Sequence, residues 1–272
     1  VCSSDLGASG EEQYYNGLSF LKDSSANLSL AYDLQTENAM VVAPEESTYD
    51  ESHDLRATMA GLLQIANLRS QLNFTRSTVV SGEPVAWNSD LVYPSLRQVV
   101  DTLIDQGAYK PFHGITAGHF AAKVGERHFL TSIRRSNFND LGKIGLVEVV
   151  TDGDDHVTAF GAKPSVGGQS QRIVFEDHPD VDSIAHAHIQ IRPGSDVPIV
   201  SQREYECGSH ECGQNTSNGL KEVAPGILAV HLDNHGPNVV FNHEVDPKQV
   251  IEVINDNWDV TTKTGGYQLR AA

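Results

Sequence analysis

Asp182-Ser183-Ile184-Ala185-His186-Ala187-His188-Ile189-Gln190-Ile191 sets two histidines, one residue apart, among small and apolar side chains. Read as one extended strand, its side chains alternate between two faces. His186 and His188 then share one face, with Ala185, Ala187 and Ile189 on the other. Two neutral imidazoles on a rigid strand supply half of a tetrahedral metal site. Read alone, the pair equally describes two surface histidines on a half-buried strand. A third ligand from elsewhere in the chain decides between the two.

The chain has 272 residues, enough for one large domain or an ordinary domain with a smaller companion. An apolar fraction of 39% fits a globular protein, and no apolar run is long enough to span a bilayer. The formal charge of −17 argues against nucleic acid and anionic membranes as partners, because both repel an acidic surface. Of the three cysteines only Cys207 and Cys212 lie close in sequence, which is no disulfide framework and makes a reducing, cytoplasmic setting the expectation. Val1–Leu6 reads as GTG TGC TCT TCC GAT CT, a translated sequencing adapter, so residues 1–6 are expected to carry no structural meaning. No basic segment followed by an apolar core marks a signal peptide.

Outward from the histidine pair, the order of segments suggests two parts. Residues 7–92 read as a small α/β segment of unassigned role. They comprise a short helix over 11–22, a strand at Asn38–Pro44, a helix over Asp50–Leu72 and a strand at Arg76–Ser81. In the second helix the apolar stripe runs through Leu55, Met59, Leu62, Ala66 and Leu68. Gly82–Tyr93 reads as a linker. Residues 93–272 form the larger domain: a helix over Leu96–Gln106, a Gly-rich loop at 113–120, and strands around Glu126–Thr131, Leu146–Val150 and His156–Phe160. A helix near Gln169–Glu176 and the opening strand follow. Then come a polar loop at Ser201–Asn215, a buried strand at Ile227–Leu232 and a closing helix at Asp246–Trp258.

His235 follows that last strand and precedes Gly236, where the backbone can turn sharply. It is a third ligand on this reading, and His231 is its rival. Three histidines would leave a fourth position open, as catalytic sites do.

From about Leu96 to about Trp258 the chain resembles the class II aldolase/adducin head family. The resemblance is carried by a Gly-rich loop, a strand reading Phe-Leu-Thr, an Asp-Gly turn and a Pro-Ser loop. A helix, His178-Pro179-Asp180-Val181 leading into His-Ala-His, and Leu232-Asp233-Asn234-His235-Gly236 complete it. It implies a three-layer α/β/α fold around a largely antiparallel sheet, with His186, His188 and His235 binding Zn2+ or another divalent ion. It implies a lyase of aldolase type acting on a small phosphorylated or carboxylated hydroxycarbonyl compound through a metal-stabilised enediolate, in carbohydrate metabolism. The family also holds epimerases and non-catalytic adducin heads, and a decarboxylase could use the same site. Members commonly form homotetramers. Mapped by the same resemblance, the anionic substrate end would meet Gly118, Thr131, Ser132 and Ser165.

Two departures stand out. The carboxylate that usually serves as acid/base falls on Gly167, and His119 replaces the usual Asn of the first anion loop. The replacement proton carriers are then His119, Tyr205, Glu206 and Glu211. Arg134 and Arg135, adjacent in an acidic chain, are candidate anion forks, against a bland reading as a solvated turn. Cys207, His210 and Cys212 could instead hold a second metal, although three ligands at this spacing are more simply a polar loop.

Overall fold

The structure is a computed structural model that describes residues 28–43, 48–111, 114–153 and 155–263. The expected helix over 11–22 and the adapter-like hexapeptide lie outside the described residues. The chain divides into two compact units, 1–71 with 264–272 and 72–263.

In the first unit, β1 (Ser29–Asp33), β2 (Asn38–Val42) and β3 (Thr48–Ser52) form an antiparallel sheet against α1 (Leu55–Arg69). Asp54 caps the helix by accepting from the amides of Arg56 and Ala57. The helix is turned away from its expected stripe: Leu55, Met59 and Leu68 are exposed, and Thr58, Ile65 and Arg69 are buried. The reason is close packing on the sheet. The Thr58 hydroxyl reaches the Ala39 carbonyl, and the Arg69 guanidinium sits over the Tyr49 ring, 5.4 Å from its centroid.

The second unit starts at Leu72. The strand at Arg76–Val80 (β4) pairs in parallel with β8 (His156–Phe160), at the edge of the large sheet. That sheet has ten strands in the order β11-β13-β14-β9-β5-β6-β7-β8-β4, with β12 beside β13. Its members also include β5 (His119–Gly125), β6 (His128–Ser132), β7 (Leu146–Thr151) and β9 (Ser183–His186). The C-terminal part supplies β11 (Ile199–Val200), β12 (Lys221–Ala224), β13 (Ile227–Leu232) and β14 (Gly236–Phe241). Only the β4–β8 and β11–β13 pairs are parallel, so the sheet is largely antiparallel as expected.

Each face of this sheet carries its own core. On one face Phe120, Leu130, Ala185, Val239 and Phe241 pack against Val99, Val100 and Leu103 of α2 (Pro94–Asp105) and Val250 and Ile254 of α5 (Pro247–Asn257). On the other, Ala121, Val147, Ile184, Val230 and Val240 pack against Val174 and Phe175 of α3 (Val166–Asp177). Helix α4 (His210–Gly219) covers α3 on that side. Two helical layers thus enclose one sheet, an α/β/α arrangement.

Two local differences shape the site. The decamer Asp182–Ile191 is two strands, since β9 ends at His186 and β10 (Ile189–Ile191) pairs with β15 (Trp258–Lys263) in a separate ribbon. The expected polar loop at 201–215 runs into α4 from His210 onward, capped by Ser209, whose hydroxyl accepts from the Cys212 amide at 3.0 Å. This helix buries Cys212, Gly213, Thr216 and Ser217, small residues without an apolar period. Among the described residues, no helix is long and apolar enough to cross a membrane.

Phe241 is fully buried, paired with Ser183 on one side and Ile227 on the other. Phe241→Ala should therefore cost about 3–5 kcal/mol, read as a lower urea midpoint with an unchanged slope. A loss below about 1 kcal/mol would mean that this layer collapses to fill the void.

Candidate metal centre

The centre is built on the ladder around β9. His186 faces His119 of β5 on one side and Asn238 of β14 on the other, and all three project toward α3. The His186 Nδ1–H donates to the Pro237 carbonyl at 2.6 Å, which fixes the ring and its tautomer. Its Nε2 lone pair is therefore free to act as an acceptor, yet the atom is buried and has no hydrogen-bond partner among the described residues. An unmet polar atom at this depth costs about 1–3 kcal/mol, and a bound cation removes that cost. Among metal sites, an imidazole whose second nitrogen is held by a carbonyl is the usual ligand arrangement.

Backbone shape brings the other two imidazoles in. Past Ala187 the chain leaves the large sheet, which turns His188 into the same space. The β13–β14 turn places Asn234 in the left-handed region at φ 55°, and the His235 amide donates to the Leu232 carbonyl at 2.9 Å. Gly236 then passes the Ala187 carbonyl so closely that any Cβ would collide with it, at φ 147°. Gly118, at φ 111°, likewise approaches the His186 carbonyl, where a Cβ would lie 2.6 Å away. The result is that the ligand atoms of His186, His188 and His235 lie within 4.8 Å of one another, and all three residues are buried. That donor set and the orphaned His186 nitrogen fit a divalent transition metal such as Zn2+.

Burial also sets protonation. It pushes the His186 pKa down to about 4 and holds His119 well below the usual histidine value, with neighbouring imidazoles adding to the effect. Both rings are neutral at physiological pH, the state required for ligation. They line a cavity with Ser170, Gln171, Cys207, Thr216, His235 and Asn238, among others, and no described lining residue is a carboxylate.

The remaining sequence candidates separate by position. His119 lies in the cavity, its ring 4.5 Å from that of His186. Its Nδ1 accepts from the Gln171 side-chain amide, and the Gln171 carbonyl accepts from the Thr131 hydroxyl at 2.9 Å. Thr131 is thus spent on internal bonding. The Thr131-Ser132 and Pro164-Ser165 segments lie side by side, joined by the Ser165 amide to the Ser132 carbonyl at 2.9 Å. Arg134 donates its amide to the Lys163 carbonyl at 2.9 Å, and both Arg134 and Arg135 are exposed on that turn. The Ser132 hydroxyl is buried and has no hydrogen-bond partner among the described residues.

Tyr205 and Glu206 occupy the half-buried loop before α4 and are not among the cavity's described lining residues. Glu211 turns away from the centre, accepting from the backbone and side-chain amides of Asn73. His231, the rival ligand, accepts from the Trp258 indole at 3.2 Å and stays out of the cluster. The second-metal reading of the Cys207–Cys212 segment finds no support in these contacts. His210 meets Arg172, Gln202 reaches Cys212, and the Cys207 sulfur lies 3.4 Å from the His235 Nε2. Sequence reasoning missed Gln171 and Asn238. A glutamine inside a short helix and an asparagine in an apolar strand carry no motif; the contact with His119 reveals the first and the ladder register with His186 the second.

Gly236→Ala is expected to displace His235 and to weaken divalent-metal binding by roughly 10–100-fold, measured by competition with a chromophoric chelator. Unchanged affinity would show that the turn is not what aims His235. A second expectation concerns pH. His231 is buried, which lowers its pKa to about 4, whereas an unfolded histidine titrates near about 6.5. Between these values the unfolded chain binds the extra proton, so stability is full above about 6.5 and falls as pH drops toward about 4. In metal-free protein, His231→Gln should remove roughly 3 kcal/mol of that dependence in urea titrations. Identical slopes for the two proteins would refute it.

No protein-family profile and no curated protein matches the chain. Among solved structures it is similar to YgbL from Escherichia coli at 18% identity and a TM-score of 0.42, covering 58% of this chain and 81% of that one. It is similar to an L-fuculose 1-phosphate aldolase at 18% identity and a TM-score of 0.45, covering 62% and 83%. For the L-fuculose-1-phosphate aldolase from Thermus thermophilus the values are 21%, 0.43, 61% and 86%. The assignment of the centre rests on its own geometry: three converging buried imidazoles, one of them with an unmet lone pair.

Proposed function

We propose that the chain is a metal-dependent lyase of aldolase type that acts on a small phosphorylated or carboxylated hydroxycarbonyl compound. The observation that carries this reading is the buried His186–His188–His235 cluster with the unpartnered Nε2 of His186. Three protein ligands leave one coordination position for substrate, and a divalent ion such as Zn2+ would supply Lewis-acid polarisation of a carbonyl.

The chain's own residues do the rest. Gln171 holds the His119 Nδ1 as an acceptor, which leaves the proton on Nε2. Burial keeps that ring neutral, so its N–H can donate to a substrate oxygen as charge develops there. By the family resemblance the anionic end would be received around Gly118, Thr131, Ser132 and Ser165, with the exposed forks of Arg134 and Arg135 drawing it in. The Ser132 hydroxyl itself lies on the Leu130 and Leu146 side of the sheet, away from the cavity. Tyr205 and Glu206 are the loop groups nearest in sequence to the cavity-lining Cys207 that can carry a proton. Glu211 is the weakest of the proton candidates because Asn73 already holds it. In this reading the protein works in the cytoplasm, an expectation that rests on its cysteine usage, and as a homo-oligomer, an expectation that rests on the family resemblance.

One observation favours a second reading, a decarboxylase. No carboxylate among the described residues lines the cavity, and Gly167 stands where the usual acid/base would be. Loss of carbon dioxide leaves the electron pair of the broken carbon–carbon bond on the substrate without prior removal of a proton. Only a later reprotonation is then required, and the His119 N–H or water can meet that need.

Elemental analysis of purified protein should show about one divalent transition metal per chain, lost in His186→Ala. A folded wild-type protein that takes up no metal would end both readings. A screen of sugar phosphates and hydroxy acids for retro-aldol products and released carbon dioxide separates them. His235→Ala should lower turnover by roughly 100-fold or more, and turnover that survives this substitution would remove the centre from the chemistry.

A further inference from the structure

The cavity holds one group that the three-histidine reading does not use. The Cys207 thiol, half-buried on the loop before α4, points at the centre, with its sulfur 3.4 Å from the His235 Nε2. It forms no disulfide. Bond lengths of about 2.3 Å to sulfur and about 2.0 Å to nitrogen make the sulfur–nitrogen edge of a tetrahedral zinc site about 3.5 Å. The observed separation matches that edge. The buried Nε2 of His186, without a hydrogen-bond partner among the described residues, lines the same cavity as the Cys207 thiol. The sulfur lies outside the tight three-histidine group, so ligation would draw the Cys207 loop inward. A soft thiolate beside three imidazoles is also a preferred donor set for zinc-like ions.

We propose that Cys207 is the fourth ligand of the ion held by His186, His188 and His235, and that it closes the centre in the absence of substrate. The inference rests on the three-histidine reading and deepens it. On binding, the sulfur–hydrogen bond breaks, the proton passes to solvent, and the thiolate electron pair forms the bond to the ion. The charge of the centre thereby falls from two to one positive, which lowers the cost of an ion in a site where no described lining residue is a carboxylate. A substrate oxygen must then displace the thiolate, and Cys207, released and reprotonated, lies beside the reacting atoms. The resting enzyme is thus protected from adventitious water at the open position. It is also exposed to oxidants, because a bound thiolate is the oxidisable form.

Cobalt(II) tests this with a readout independent of activity. Metal-free protein titrated with one equivalent of Co2+ should develop visible ligand-field bands from tetrahedral coordination. It should also show a near-ultraviolet thiolate-to-cobalt charge-transfer band. Cys207→Ser should keep the visible bands, lose the charge-transfer band and bind Co2+ about tenfold or more weakly. Cys212→Ser, whose sulfur meets Gln202 instead, should keep both. Visible bands without a charge-transfer band in the wild type would overturn the Cys207 assignment while leaving the histidine centre standing. A charge-transfer band lost in Cys212→Ser and retained in Cys207→Ser would overturn it as well. No Co2+ binding at all would overturn the histidine centre and Cys207 together.

Discussion

The hydrogen bond from the His186 Nδ1–H to the Pro237 carbonyl is the constraint on which the centre depends. It joins a ladder residue of β9 to the start of β14, two strands that pair in the large sheet. That one bond sets the tautomer, aims Nε2 into the cavity and leaves it with no proton to give. Every other element of the site is arranged around the fixed ring. His119 lies beside it, Asn238 flanks it, and Gly118 and Gly236 let two turns close in on the neighbouring backbone. The sheet supplies rigidity, and the two glycines supply proximity that a side chain would forbid.

The same arrangement explains which parts of the site were legible in the sequence. His186 and His188 announce themselves by a spacing of two, and Ala185, Ala187 and Ile189 do occupy the opposite core. His235 was readable because Gly236 follows it. The bending of the chain between His186 and His188 was not, since Ile189–Ile191 has the composition of a continuing strand and only its pairing with β15 shows the break. Helix α4 was hidden for a related reason. Its buried face is made of Cys212, Gly213, Thr216 and Ser217, so packing against α3 rather than apolar period defines it. In α1, Thr58 and Arg69 are buried through partners on the sheet, and side chains that look apolar were left outside.

Charge is unevenly placed between the cavity and the neighbouring turn. The described lining of the cavity includes neutral imidazoles, amides, hydroxyls and sulfur, whereas the arginines stand on an exposed turn beside the Ser132 and Ser165 segments. In a chain of net charge −17, two adjacent arginines on one exposed turn form a local positive spot. No charged side chain is among the described residues that line the cavity, and an unpaired buried charge is among the costliest things a fold can contain.

The turn that delivers His235 has one more consequence. His186 and His235 lie far apart in the chain, and their side chains converge on one point. An ion shared between them would be a reversible cross-link closing a long loop, which includes α4 and the strands β12 and β13 of the sheet. Long loops gain most from such closure, because the open chain loses the most freedom when its ends are tied. If such an ion is bound, folding and ion occupancy would be linked quantities, and the concentration of free metal around the protein would enter its thermal stability.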